Sequence, residues 1–122
     1  MITSFLAFYP CPDLEAAQRF YTQVIGLELA FSSDTVRIFR CPKGYVGFVD
    51  YGGGPIAGPR VCLSFNCPSE QAVDEEYRRL CAMGCTPQTA PARHPTQPVY
   101  SFFLQDPNGY LVEYEKLEGV TL

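Results

Sequence analysis

Tryptophan is absent from this 122-residue chain, histidine occurs once, and lysine and arginine nowhere form a run. The six cysteines, at 11, 41, 62, 67, 81 and 85, include no C-x-x-C pair. With a single His they match neither a zinc-ribbon nor a zinc-finger pattern. Nine Lys and Arg against thirteen Asp and Glu leave a net charge of -4, which argues against nucleic acid as a partner. No apolar run approaches the roughly 20 residues that span a bilayer, so no membrane partner is expected. Residues 1–10 lack the basic start and small-residue cleavage site of a signal peptide. A cytoplasmic protein is therefore expected, its cysteines reduced and mostly buried as small hydrophobes.

What is present fits an ordered globular domain. Hydrophobic residues reach 47% against 18% charged, which excludes wholesale disorder, and the length suffices for one domain with its own core. All the aromatic residues are Phe and Tyr, side chains that fill a core or line a pocket for a flat or apolar ligand.

Taken in order, residues 4–9 read as a strand stopped by Pro10-Cys11-Pro12. Asp13 stands where an N-cap would, and Leu14, Ala17, Phe20, Tyr21 and Val24 recur at helical spacing, predicting an amphipathic helix over 14–24 that ends at Gly26. Strands are expected at 27–31, 36–40 and 45–51. The glycine- and proline-rich stretch 52–59 reads as a linker, since neither a helix nor a Lys-Ser/Thr pair follows to make it a phosphate loop. The second half repeats the first. A strand at 61–66 leads to a helix capped by Ser69, with Val73, Tyr77, Leu80 and Cys81 as its apolar face up to Gly84, and strands follow at 86–90, 99–104 and 110–114. The pattern is two tandem βαβββ modules, about 4–51 and 60–117, each a curved sheet with a helix outside and a concave face inside.

The stretch Asp106-Pro107-Asn108-Gly109-Tyr110-Leu111-Val112-Glu113 organises the second module. Pro107 and Gly109 suit a tight turn, so residues 102–105 and 110–114 should pair antiparallel. Alternation puts Val112 and Tyr114 on one face and Leu111, Glu113 and Glu115 on the other. Glu113 is then either a carboxylate on the solvated face of an edge strand or one aimed into a cavity. His94, in the proline-rich segment 90–98, is either an exposed loop residue without a role or, beside Arg93, a charge or general acid over the cavity mouth. Cys62 and Ser64 should share a face opposite Leu63 and Phe65. Leu6 and Phe8 should share another, with Phe48 or its neighbours on that strand closing the side.

Asp13-Leu14-Glu15-Ala16-Ala17, Phe20-Tyr21, Ile25-Gly26-Leu27 and Asp106-Pro107-Asn108-Gly109-Tyr110 with Glu113, in this order within a tandem βαβββ pattern, resemble the vicinal oxygen chelate superfamily. This is the glyoxalase, bleomycin resistance protein and extradiol dioxygenase superfamily. The resemblance implies an α+β fold of paired modules whose curved mixed sheets surround a small-molecule cavity, usually as a homodimer. In the family's metal enzymes a divalent ion is held by a His on the first strand, a His opening the second half and a Glu on the last strand. Here those positions fall on Leu6, Cys62 and Glu113. Leu6 has no donor atom, so a non-enzymatic small-molecule binder like the bleomycin resistance branch, with no metal, is expected. The binding residues would be Leu6, Phe8, Phe48, Cys62, Ser64, His94 and Glu113. The alternative is a glyoxalase-like lyase, isomerase or dioxygenase with catalytic Glu113, using either an altered divalent-metal site at Glu113 and Cys62, helped by a residue such as Asp50 or Tyr51, or metal-free acid-base catalysis by Glu113. A third reading is a scaffold whose cavity is filled by Phe and Leu.

Overall fold

The structure, a computed structural model, describes residues 1–54 and 61–122. Positions 55–59 of the expected linker lie outside them. The chain divides into two compact units, Met1–Pro59 and Arg60–Leu122.

In the first unit, β1 (Leu6–Pro10) leads through Asp13 into α1 (Leu14–Arg19), which continues as a π-helix over Phe20–Ile25. The strands β2 (Glu28–Ser32), β3 (Val36–Cys41) and β4 (Gly44–Val49) follow, giving the sheet order β1-β4-β3-β2. β1 runs parallel to β4, and the other pairs are antiparallel. The Asp13 side chain accepts the Ala16 N–H at 3.0 Å, the N-cap bond that starts the helix. Gly26, at φ 93°, takes the left-handed turn that stops it. The expected single α-helix widens midway. The Thr22 hydroxyl donates to the Gln18 carbonyl at 2.6 Å and so competes for an acceptor of the α-helical ladder. Tyr21, fully buried, stacks on Phe48 with ring centroids 4.7 Å apart and lies 5.6 Å from Phe39. These rings form the core between helix and sheet.

In the second unit, β5 (Cys62–Asn66), α2 (Glu70–Ala82), β6 (Ala92–Arg93), β7 (Val99–Gln105) and β8 (Leu111–Leu117) repeat that plan. The order is β5-β8-β7-β6, again with the first strand parallel to the last. Ser69 caps α2 by accepting the Ala72 N–H at 3.0 Å. Val73 and Leu80 of α2 are fully buried, and Phe102 and Tyr114 stack 5.3 Å apart in the same core. The fold is thus α+β, two mixed four-stranded sheets built from βαβββ repeats.

Three expectations need correction. No strand forms over 86–90, because Pro87 and Pro91 lack the N–H a ladder needs. The Gln88 and Thr89 N–H groups instead converge on the Phe103 carbonyl, and pairing to β7 begins only at Ala92–Arg93. Cys81 is exposed rather than part of the apolar face of α2. Of the six cysteines, none in a disulfide, only Cys11 is buried; Cys62 and Cys81 are exposed and the other three half-buried.

Candidate functional site

The 106–110 turn sets where β8 begins. The buried Asp106 carboxylate accepts the N–H groups of Asn108 and Tyr110 at 2.8 and 2.9 Å, and Gly109 supplies the left-handed residue at φ 84°. That turn pairs Phe102 with Tyr114 and Phe103 with Glu113, so Tyr114 faces α2 and Glu113 faces the opposite, open side of the sheet. β8 lies between β5 and β7, which puts Glu113 mid-sheet at 8% exposure and removes the solvated-edge alternative.

The register of β5 against β8 sets Cys62 beside Leu111 and Ser64 beside Glu113. Ser64 Oγ donates to Glu113 Oε1 at 2.6 Å, the Cys62 thiol reaches the same oxygen at 4.0 Å, and Cys62 Sγ lies 3.7 Å from Ser64 Oγ. Two positions on along the same face, Glu115 is hydrogen-bonded to Glu113. Loss of solvent, then the negative charge of Glu113 and the bond between them, push the Glu115 carboxyl up to about 7. Near neutrality Glu115 therefore still holds part of its proton beside Glu113.

Cys62, Glu113, Glu115 and His94 line one concavity of about 500 Å³, with Val99, Phe103, Leu111 and Leu117 supplying apolar surface. His94 Nδ1 accepts the N–H groups of Thr96 and Gln97 at 3.1 and 3.0 Å. A backbone N–H can only donate, so the neutral ring carries its proton on Nε2. Arg93 does not accompany it as a site charge. Its guanidinium bridges Glu70 at 2.6 Å and also Glu118, tying β6 to α2 and to the chain after β8.

Leu6 and Phe8 lie on the open face of the first sheet, beside Tyr45 and Gly47 of β4. Phe8 covers Gly47 so closely that a Cβ there would sit 2.5 Å from its ring. Phe48 does not join them. Being one residue past Gly47, it faces the helix and is fully buried against Tyr21, so it lines no cavity. The Asp50 carboxylate is engaged locally, accepting the Gly52 N–H at 2.9 Å, and Tyr51 is exposed.

The family model described as Glyoxalase/Bleomycin resistance protein/Dioxygenase superfamily matches residues 4–114. The chain belongs to this superfamily. Among similar solved structures is a glyoxalase/bleomycin resistance protein/dioxygenase from Nocardioides, 25% identical, covering 99% of this chain and 87% of that one with a TM-score of 0.81. A lactoylglutathione lyase from Agrobacterium tumefaciens is also 25% identical, covering 93% of this chain and 92% of its own at a TM-score of 0.79. A family enzyme from Burkholderia phytofirmans shares the fold at 22% identity and a TM-score of 0.75, covering 92% of this chain and 96% of that one. No curated protein matches the sequence.

Superfamily metal enzymes need three protein ligands, and the donor set here does not fit that need. Leu6 offers no donor, which leaves Glu113 and Cys62 as two candidate ligands where three are needed. Among the described residues, no three His, Cys, Asp or Glu side chains are grouped to hold an ion. Also among them, no helix is long and apolar enough to cross a membrane. Sequence reasoning placed Glu115 on the face of Glu113 but left it out of the site. The i, i+2 spacing of two acids on one strand is the signal that would have included it.

Proposed function

We propose that the concavity of the second unit binds a small molecule that combines a positive charge with an apolar or aromatic body. One observation carries this: two carboxyls, Glu113 and Glu115, stand together among apolar side chains, and no ion pair reaches either among the described residues. A half-desolvated acid pair gains most from a cation brought by the ligand. The wall formed by Phe103, Leu111 and Val99 suits the apolar part. This is the chemistry of the superfamily's bleomycin resistance branch, and we read the protein as a cytoplasmic homodimeric binder of that kind, a single domain of modules 4–51 and 60–117. Sedimentation tests the dimer.

The ligand test is calorimetry with a phenyl-bearing quaternary ammonium ion and its neutral carbon isostere. The cation should bind about tenfold tighter, and removing both acids in the Glu113→Gln/Glu115→Gln double variant should abolish the difference. Equal affinity for both compounds would sink the reading. Similarity to the Agrobacterium lactoylglutathione lyase favours a second reading, an enzyme in which Glu113 moves a proton on the substrate. Stoichiometric metal binding lost in both Glu113→Gln and Cys62→Ala would bring back an altered metal site in place of both.

A further inference from the structure

At one end of the first sheet, three neighbouring strands place a polar row on the open face. Glu28 of β2 lies beside Arg40 of β3, and Arg40 beside Tyr45 of β4. The Arg40 guanidinium is held from both sides. Its Nε lies 3.7 Å from Glu28 Oε1, and its Nη1 donates to the Tyr45 hydroxyl at 3.0 Å, with the guanidinium carbon 5.4 Å from the centre of the Tyr45 ring. The turn between β3 and β4 adds Lys43, which reaches no acid among the described residues. Arg40, Lys43 and Tyr45 line a concavity of about 540 Å³ together with Thr3 and Ser4. Glu28 is the one acid of that lining among the described residues, so two cations against one acid make it positive in a chain whose net charge is -4. The second sheet has no counterpart, because Gln105 beside Leu111 stands where the first has Arg40 beside Tyr45.

We infer that this concavity binds a small organic phosphate. The guanidinium of Arg40 and the ammonium of Lys43 can only donate, and the hydroxyls of Thr3 and Ser4 can add to them. The Tyr45 oxygen accepts the Arg40 N–H, which leaves its own proton for another acceptor. A carboxylate, with two oxygens and a single charge, would leave part of this donor set unused. A phosphate monoester matches it better, since it offers three terminal oxygens and close to two negative charges near neutral pH. Arginine recognises such a group through paired N–H donors and lysine as a point charge. Leu27, Pro42 and the Tyr45 ring, all in the same lining, give the organic part apolar surface. Glu28 competes with the ligand for Arg40, but at 3.7 Å and with a side chain 71% exposed its hold is loose, and a dianion can take the guanidinium over. All of these residues belong to the first unit, and the site owes nothing to the acids of the second.

The test is calorimetry of the whole protein with phenyl phosphate, benzoate and inorganic phosphate at one fixed ionic strength near neutral pH. Phenyl phosphate should saturate one site per chain and bind about tenfold tighter than either of the other two. Lys43→Gln and Arg40→Gln should each weaken it about tenfold, whereas Glu28→Gln, by releasing Arg40, should tighten it about threefold. The opposite signs matter, because a substitution that merely disturbed this end of the sheet would weaken binding in all three variants. Phenyl phosphate that does not saturate overturns the site, and so does an affinity indifferent to both Lys43→Gln and Arg40→Gln. Weaker binding by Glu28→Gln, in protein with unchanged circular dichroism, overturns it as well. Benzoate binding as tightly as phenyl phosphate overturns the choice of a phosphate, and inorganic phosphate doing so overturns the organic part of the ligand.

Discussion

The two units carry the same register with different chemistry. Phe8 lies beside Gly47 in the first, where Ser64 lies beside Glu113 in the second; Leu6 and Tyr45 correspond likewise to Cys62 and Leu111. Across the sheet the correspondence is conservative, with Tyr9 and Phe48 facing one helix as Phe65 and Tyr114 face the other. Helix-facing positions fill a closed core, so both units keep rings there. Open-face positions are released from that demand, and only the second unit uses them to bury an acid. The comparison breaks if the two faces of the first sheet are energetically alike. Phe48→Ala should cost about 3–5 kcal/mol, as for a fully buried aromatic. Phe8→Ala, at a position 47% exposed, should cost far less. Urea denaturation of both variants decides it, and equal losses would return Phe48 to the open face.

A smaller effect sharpens the contrast between Phe8 and Ser64. Ser64→Ala removes the short bond to a nearly buried carboxylate, and an acceptor left without its donor costs about 1–3 kcal/mol. The same substitution should loosen Glu113 and weaken cation binding, measured by calorimetry beside the urea midpoint. Stability unchanged by Ser64→Ala would mean that solvent satisfies Glu113 as well as the hydroxyl does, and the acid would lose its claim to a built site.

Much of this was legible in the residues, and the failures share a cause. Strand alternation around Glu113 and Cys62 and the caps at Asp13 and Ser69 are local properties, written within a few positions of one another. Phe48 was misread because its face depends on which residue of β4 meets β1, a register that no local pattern in residues 45–51 declares. The strand expected at 86–90 fell to Pro87 within it and Pro91 just after it, a signal present but underweighted. The π-helical turn over Phe20–Ile25 left no periodicity to find, since Phe20, Tyr21 and Val24 fit an α-helix equally well. The acid pair required knowing that β8 is a central strand, which makes neighbours of two carboxyls that would otherwise be solvated.

That pair gives the subtlest difference between the units, because the first has Val49 where the second has Glu115. The folded protein holds the Glu115 proton up to about pH 7, against an ordinary value of 4.5. Between those values the unfolded chain has released the proton and the folded one has not, so Glu115 makes stability fall as pH rises through this window and adds no further slope above it. Glu115→Gln removes that contribution. Melting temperatures of wild type and variant should therefore diverge from about pH 5 to about pH 7, the variant gaining, and run parallel above. A ligand cation works in the opposite sense. It favours the ionised pair, so wild-type affinity for the ammonium probe should climb as pH passes 7, while Glu115→Gln binds more weakly and without that climb. Parallel melting curves across the whole range would show that Glu115 gives up its proton at the ordinary carboxylate value in the fold, and Glu113 would be the only acid of the open face set apart by its surroundings.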